Sequence, residues 1–188
     1  MKRSRNGRRR GATIAEVTIG AGISSVVLFA GLSTFLLGMR SWVKGEANIE
    51  ASSSSQKAVR TISNELREAM EITVNASGTR VDFVYPQRES NGTFTSPMVE
   101  DGVTRYIERS GTSIILREGN VQRTIAKDVL ARKPGGASDY PLFSTPAGSV
   151  NRSLTIEIYA SKPSFKGEKI VERSRETLYL RNVPQLSR

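Results

Sequence analysis

The sequence predicts an α+β protein in which one long N-terminal helix packs on an antiparallel β-sheet head. The first half of that helix is apolar all round and the second half is amphipathic. Three observations predict it. Val17–Met39 runs 23 residues without a charge or a proline. Val59, Ile62, Leu66 and Ala69, with Met70, then recur at helical spacing. Beyond Gly78 the pattern changes to apolar alternation between turn residues, as strands require.

Residues 1–11 form a basic leader. Lys2, Arg3, Arg5, Arg8, Arg9 and Arg10 lie there with no acid, so 6 of the 28 cations occupy eleven residues. The formal charge of the chain is +10, but from Ala12 onward 22 basic residues face 18 acidic ones. A net charge of that small size gives little electrostatic pull on a polyanion, and nucleic acid is not expected as a partner.

Residues 12–45 read as a membrane helix. Fourteen of the 23 uncharged residues are apolar, four are Gly and five are Ser or Thr. As a helix the run spans about 34 Å, enough for a hydrocarbon core of about 30 Å. It exceeds the apolar core of a secretory signal, about 7–15 residues, and no small-x-small cleavage site follows it cleanly. Arg10 before the run, and Arg40, Trp42 and Lys44 after it, are the expected flanks. The denser basic flank stays in the cytoplasm, which puts the remainder outside, with Trp42 at the far interface.

Residues 46–77 contain no Gly or Pro and are expected to continue as an amphipathic helix. Lys57, Arg60, Asn64, Arg67 and Glu71 fall opposite the apolar stripe and are expected in solvent. Ser52–Ser55 is a run of weak helix formers, where a bend or fraying is expected.

Residues 78–188 are expected to form the β-rich head. Strand candidates are Val81–Tyr85, Val103–Arg109, Ser113–Arg117, Val121–Ala126, Leu154–Ile158 and Glu176–Asn182. Ser110-Gly111 marks a hairpin. Lys133–Ser149 holds Pro134, Gly135, Gly136, Pro141, Pro146 and Gly148 and reads as a long surface loop. Arg105, Arg109, Arg117 and Arg123 are expected on solvated strand faces.

Composition removes whole classes of chemistry. The chain has no His and no Cys. Ser-His-Asp triads, Cys-His dyads, disulfides and His- or Cys-ligated metals are thereby impossible. No Walker or dinucleotide glycine motif is present. Glu100-Asp101 supplies two adjacent carboxylates, far short of the six to eight oxygens that calcium takes, and reads as a turn. No catalytic residue, cofactor or metal is expected, and an enzyme is not.

The informative stretch is the junction Arg8-Arg9-Arg10-Gly11-Ala12-Thr13-Ile14-Ala15-Glu16-Val17. A lone carboxylate stands at the mouth of a membrane helix, where an acid ordinarily has a partner. A basic leader ending in Gly, a small residue, Thr, and Glu at the fifth place before an apolar helix resembles a type IV prepilin signal. Ala12 stands where that family usually has Phe or Met, and Ala15 where it has a large aliphatic. Many pilins have a proline in the middle of this helix; here there is none. The resemblance implies cleavage after Gly11 and methylation of the Ala12 amine by a prepilin peptidase. It also implies an assembly role for Glu16, whose carboxylate would pair with the N-terminal amine of a neighbouring subunit.

The resemblance implies the fold named above, in its type IV pilin-like form. It also implies a minor pilin or pseudopilin acting in a type IV pilus, a type II secretion system or a DNA-uptake filament. Leu66-Arg67-Glu68-Ala69, Tyr106 with Leu116-Arg117, and Leu180-Arg181-Asn182 are similar to the J-type minor pseudopilins and PilW-like minor pilins. The implied partners are the prepilin peptidase, other pilins or pseudopilins through the N-terminal helix, an inner-membrane assembly platform and the bacterial cytoplasmic membrane. The implied location is that membrane, single-pass, with the N-terminus cytoplasmic and the head outside, then a periplasmic or surface filament. The competing expectation is a membrane-anchored periplasmic binding domain that never polymerises.

Overall fold

The computed structural model describes residues 13–145 and 153–180. The chain divides into two units, Met1–Val43 and Lys44–Arg188. One helix, α1 (Ile14–Arg67), passes from the first into the second.

In the first unit no side chain of α1 from Ile14 to Trp42 is buried, and the exposed apolar residues lie on every side of the helix. A helix apolar all round needs an apolar surrounding. In the second unit α1 buries only one stripe. Ala47, Ala51, Ser55, Ala58, Val59, Ile62, Ser63 and Leu66 are buried, while Lys57, Arg60, Asn64 and Arg67 are exposed as their spacing requires.

The stripe packs on two antiparallel sheets. β1 (Glu71–Val74), β2 (Arg80–Val84), β3 (Arg105–Ser110), β4 (Ser113–Glu118) and β5 (Val121–Ala126) lie in chain order in a five-stranded meander. β6 (Phe143–Ser144), β7 (Ser153–Pro163) and β8 (Lys169–Tyr179) form the second sheet, also in chain order. One apolar cluster joins all three layers. Ile62 and Leu66 of α1 meet Ile72, Val81, Phe83, Ile107, Ile114 and Leu116 of the first sheet, and Leu154, Ile156, Ile158 and Leu178 of the second. The long helix on an antiparallel sheet is the expected α+β architecture.

The β3–β4 hairpin turns at Gly111, which has φ +59° while Thr112 stays negative. Positive φ at only the first of two loop positions is the type II′ arrangement, which matches strand twist and selects glycine there.

Five expectations are corrected. The amphipathic helix does not reach Ser77; α1 ends at Arg67 and Glu71–Val74 is a strand. Ile72, Thr73 and Val74 are β-branched, and Ile72 and Val74 bury alternate positions against β2. Ser52–Ser55 does not interrupt the helix, which is continuous through it. Ser55 is buried, and its hydroxyl bonds the Ser52 carbonyl at 3.0 Å and the Ser174 hydroxyl at 2.8 Å. The stretch from Lys133 is not simply a surface loop, because Tyr140, Leu142 and Phe143 enter the core and Phe143–Ser144 pairs with β7. The last two strands are longer than their apolar alternation suggested. β7 and β8 run eleven residues each and pair along their whole length. Arg105 and Arg109 are not on solvated faces; their side chains are 8% and 5% exposed. Arg181-Asn182 and residues 146–149 lie outside the described residues.

The buried arginines are paired, as burial demands. Arg105 meets Asp101 at 2.7 Å and Glu118 at 2.8 Å and stacks on the Tyr85 ring. Arg109 meets Asp139 at 3.2 Å and donates to the Tyr140 carbonyl at 3.0 Å.

Glu157 on β7 is the most enclosed carboxylate among the head's ion pairs. Burial works to raise its pKa, but the Tyr159 hydroxyl, Arg173, Lys133 and Arg175 outweigh it and hold it below the usual range. A folded pKa below the unfolded value of about 4.3 gives stability that is present above that value. It is lost as pH falls through the folded pKa. Glu157→Gln is therefore expected to flatten the acid limb of head stability, seen as a shallower fall of the thermal midpoint between neutral and acid pH. An unchanged slope would mean that Glu157 does not carry it.

Candidate functional site

The junction singled out in the sequence starts α1, and the chain's own polar groups close it. The Thr13 N–H donates to Glu16 Oε2 at 2.8 Å, and the Glu16 N–H donates to Thr13 Oγ1 at 3.2 Å. Val17 N–H continues the ladder to the Thr13 carbonyl at 3.1 Å. This is a reciprocal capping box: an N-cap Thr and a Glu three residues on satisfy two of the N–H groups that a helix start leaves orphaned. Sequence reasoning took Thr13 and Glu16 only as parts of a prepilin-like junction and missed the cap, although Thr-x-x-Glu before an apolar run is the pattern that marks one.

An apolar medium offers no water to a free N–H, and each unsatisfied group costs several kcal/mol there. The cap itself supplies no counter-charge to Glu16. A backbone N–H brings a dipole to the carboxylate but no counter-charge, although the positive helix terminus favours an anion there.

The polar side chains further along are handled in the same way. The hydroxyls of Thr18, Ser25 and Thr34 donate to the carbonyls of Ile14, Ala21 and Ala30 at 2.9, 2.8 and 3.0 Å. Each spends its proton on the backbone one turn back, which hides it from apolar surroundings. Among the described residues one helix, α1, is long and apolar enough to cross a membrane. Arg40 and Lys44 are one turn apart on one side of it. Trp42 lies on the opposite side and is 76% exposed. Gly11, Ala12 and Arg10 lie outside the described residues.

The head holds a second polar constellation that sequence reasoning did not find. The Tyr85 hydroxyl donates to Glu65 Oε2 at 2.8 Å and to the Glu65 carbonyl at 3.0 Å. Arg123 of β5 pairs with the other oxygen of Glu65. Burial first, and then the Glu65 carboxylate, push the Tyr85 phenol well above its ordinary range. A phenol held protonated is a donor and not a nucleophile, so the group ties the end of α1 to the five-stranded sheet. Its members come from α1, from the residue after β2 and from β5, which is why no local motif announces it.

Asp101 is engaged by Arg105 and by the Val103 N–H at 3.1 Å, and Glu100 sits in a bridge to Pro86. Asp101 makes the local bond of a turn, but Glu100 is in an extended bridge and not in the expected turn. No group of three or more metal-capable side chains occurs among the described residues. No protein-family model, curated protein or solved structure matches the chain.

Proposed function

We propose that the chain is a minor pilin or pseudopilin subunit, acting by assembly into a type IV pilus, type II secretion or DNA-uptake filament. The observation that carries this reading is the junction itself. Gly11 ends a basic leader, Thr13 and Glu16 open the helix, and 23 uncharged residues follow with their apolar side chains unburied. Such a helix is compatible with a bilayer before assembly and with a bundle of like helices afterwards. In the proposed cycle a prepilin peptidase cuts after Gly11 on the cytoplasmic side and methylates the Ala12 amine. The head stands outside the cytoplasmic membrane, and an assembly platform then lifts the subunit into a filament of other pilins or pseudopilins. Glu16 pairs there with a neighbour's N-terminal amine, which at a pKa of about 7.7–8.0 is largely cationic at neutral pH. The long helix on an antiparallel head supports the same reading.

Intact mass of the membrane-extracted protein tests it. The expected mature chain begins at Ala12 and carries one methyl group. Gly11→Ala should be cut less well, and bulkier residues at that position should block cutting. A chain still beginning at Met1, or one beginning beyond Met39, would reject the proposal.

The capping box supports a second reading, a membrane-anchored periplasmic binding domain that never polymerises. There Glu16 has a sufficient structural role as the helix cap and needs no partner amine.

A further inference from the structure

The β7–β8 hairpin runs down α1 toward the start of the head's own stretch of helix. Glu176 of β8 meets Arg67 at 3.5 Å, and Ser174 meets Ser55 at 2.8 Å. Nearer the turn, Lys162 of β7, in register with Ile170, meets Glu50 at 2.7 Å. Each step toward the turn thus meets an earlier residue of α1. The tip begins at Phe165, three residues beyond Lys162, or about 10 Å of extended chain. Glu50 lies six residues beyond Lys44, about 9 Å of helix. The tip therefore stands level with Lys44, which belongs to the same unit as the head. The uncharged run of the sequence ends at Met39, five residues before Lys44.

The side of the helix agrees with the level. Lys44 precedes Ala47 by three residues and Ala51 by seven, so it continues the stripe that the head buries. Glu46 falls away from that stripe.

The tip carries an apolar ring beside cations. Phe165, Lys166, Gly167, Glu168 and Lys169 are all exposed. Lys166 Nζ stands 6.0 Å from the centre of the Phe165 ring. Lys166 holds φ +57°, a left-handed position that glycine takes freely and lysine only with strain. The turn itself gains nothing from a lysine there. Lys162 is occupied by Glu50 and Asp128. Lys44, Lys166 and Lys169 have no ion pair among the described residues, and they outnumber Glu168.

We propose that the β7–β8 tip is a second membrane contact, in which Phe165 enters the headgroup layer while Lys166 and Lys169, with Lys44, hold anionic phospholipid. Aromatic rings on an amphipathic element settle at the boundary of headgroups and acyl chains, and basic residues near a bilayer are drawn to anionic lipid. The inference rests on α1 crossing a membrane and is independent of whether it polymerises.

The chain has no cysteine, so a single introduced thiol labels a single place. Glu168→Cys carries a fluorophore at the tip. Ser90→Cys carries it on the β2–β3 connection as a control, two residues from Arg88, which pairs with Glu68 beyond the far end of α1. The full chain is reconstituted in nanodiscs containing a lipid with a nitroxide quencher on its headgroup. The bulk lipid is phosphatidylcholine, or an equal mixture with phosphatidylglycerol. The tip label is expected to be quenched roughly twofold or more above the control, with a further gain in the mixture. Lys166→Gly should remove most of that gain. Glycine suits φ +57°, so this variant keeps the turn and its thermal midpoint should not fall. Phe165→Ser should lower quenching in both lipids. Tip quenching no greater than the control's, equal in both lipids, or unaffected by both variants would overturn the proposal. A chain that does not co-elute with the discs would reject the membrane helix, and the proposal with it.

Discussion

Replacing Gly78 by alanine is expected to remove a large part of the head's stability. Gly78 closes the β1–β2 turn with φ +67°. A side chain there first meets the left-handed penalty of about 1–2 kcal/mol. It then meets the second sheet, because an added Cβ would stand 2.5 Å from the Phe143 carbonyl oxygen and 2.5 Å from the Pro141 Cβ. Neither can move freely. The Phe143 N–H donates to the Gly78 carbonyl at 2.8 Å, and Phe143 is 1% exposed in the core. Overpacking of this kind adds about 1–3 kcal/mol, so the sum is roughly 2–5 kcal/mol, a large part of a small domain's stability. Gly111→Ala is the control: φ is +59°, but nothing lies within 4 Å of an added Cβ. Urea unfolding of the detergent-solubilised chain, followed by circular dichroism, should give a much lower midpoint for Gly78→Ala than for Gly111→Ala. Equal midpoints would mean that the close approach to β6 contributes nothing.

Glu16→Gln and Glu16→Ala are both expected to lose recruitment on the assembly reading, and to separate only if Glu16 is a helix cap. Glutamine keeps the capping box, since its amide oxygen also accepts the Thr13 N–H, and it removes the charge. Alanine removes both. Membrane insertion should survive in each variant, because it depends on the apolar run and the basic leader. Loss of the cap at alanine costs about 1 kcal/mol of helix start. Loss of the charge strands a partner amine inside a helix bundle, at roughly 3–5 kcal/mol for a fully buried pair and less where water reaches it. The stranded amine weighs more than the lost cap and is common to both variants, so both should lose crosslinking to other prepilins in intact cells. Wild-type yields for Glu16→Gln at equal membrane abundance, with a defect only in Glu16→Ala, would reduce Glu16 to a helix cap. The anchored binding domain would then be the better account.

Features that a few neighbouring residues decide are legible in the chain before it folds. The apolar run predicts its helix because hydrophobicity and length are local properties. Ile62 and Leu66 are buried and Lys57 and Arg60 exposed because helical period alone sorts them. Leu154, Ile156 and Ile158 alternate into the core for the same reason. Gly111 marks its hairpin through its own backbone freedom. The junction at Thr13 and Glu16 stood out too, although its cap, a pattern of four residues, was not read from it.

The remaining features arise from packing, and their common cause is a partner far away in sequence. Ile72-Thr73-Val74 carries helix-compatible spacing from the stripe before it, and becomes a strand because β2 offers it a ladder. Phe143 leaves its Pro- and Gly-rich surroundings because the Gly78 turn and β7 bond its backbone. Ser55 stays inside an unbroken helix because Ser174, 119 residues away, shares a hydrogen bond with its hydroxyl. Arg105 and Arg109 are buried because Asp101, Glu118 and Asp139 stand where they fold to. A charged or hydroxylated side chain leaves water only when its partner is in place. That partner is set by how the sheets pack, which no local pattern in the chain encodes.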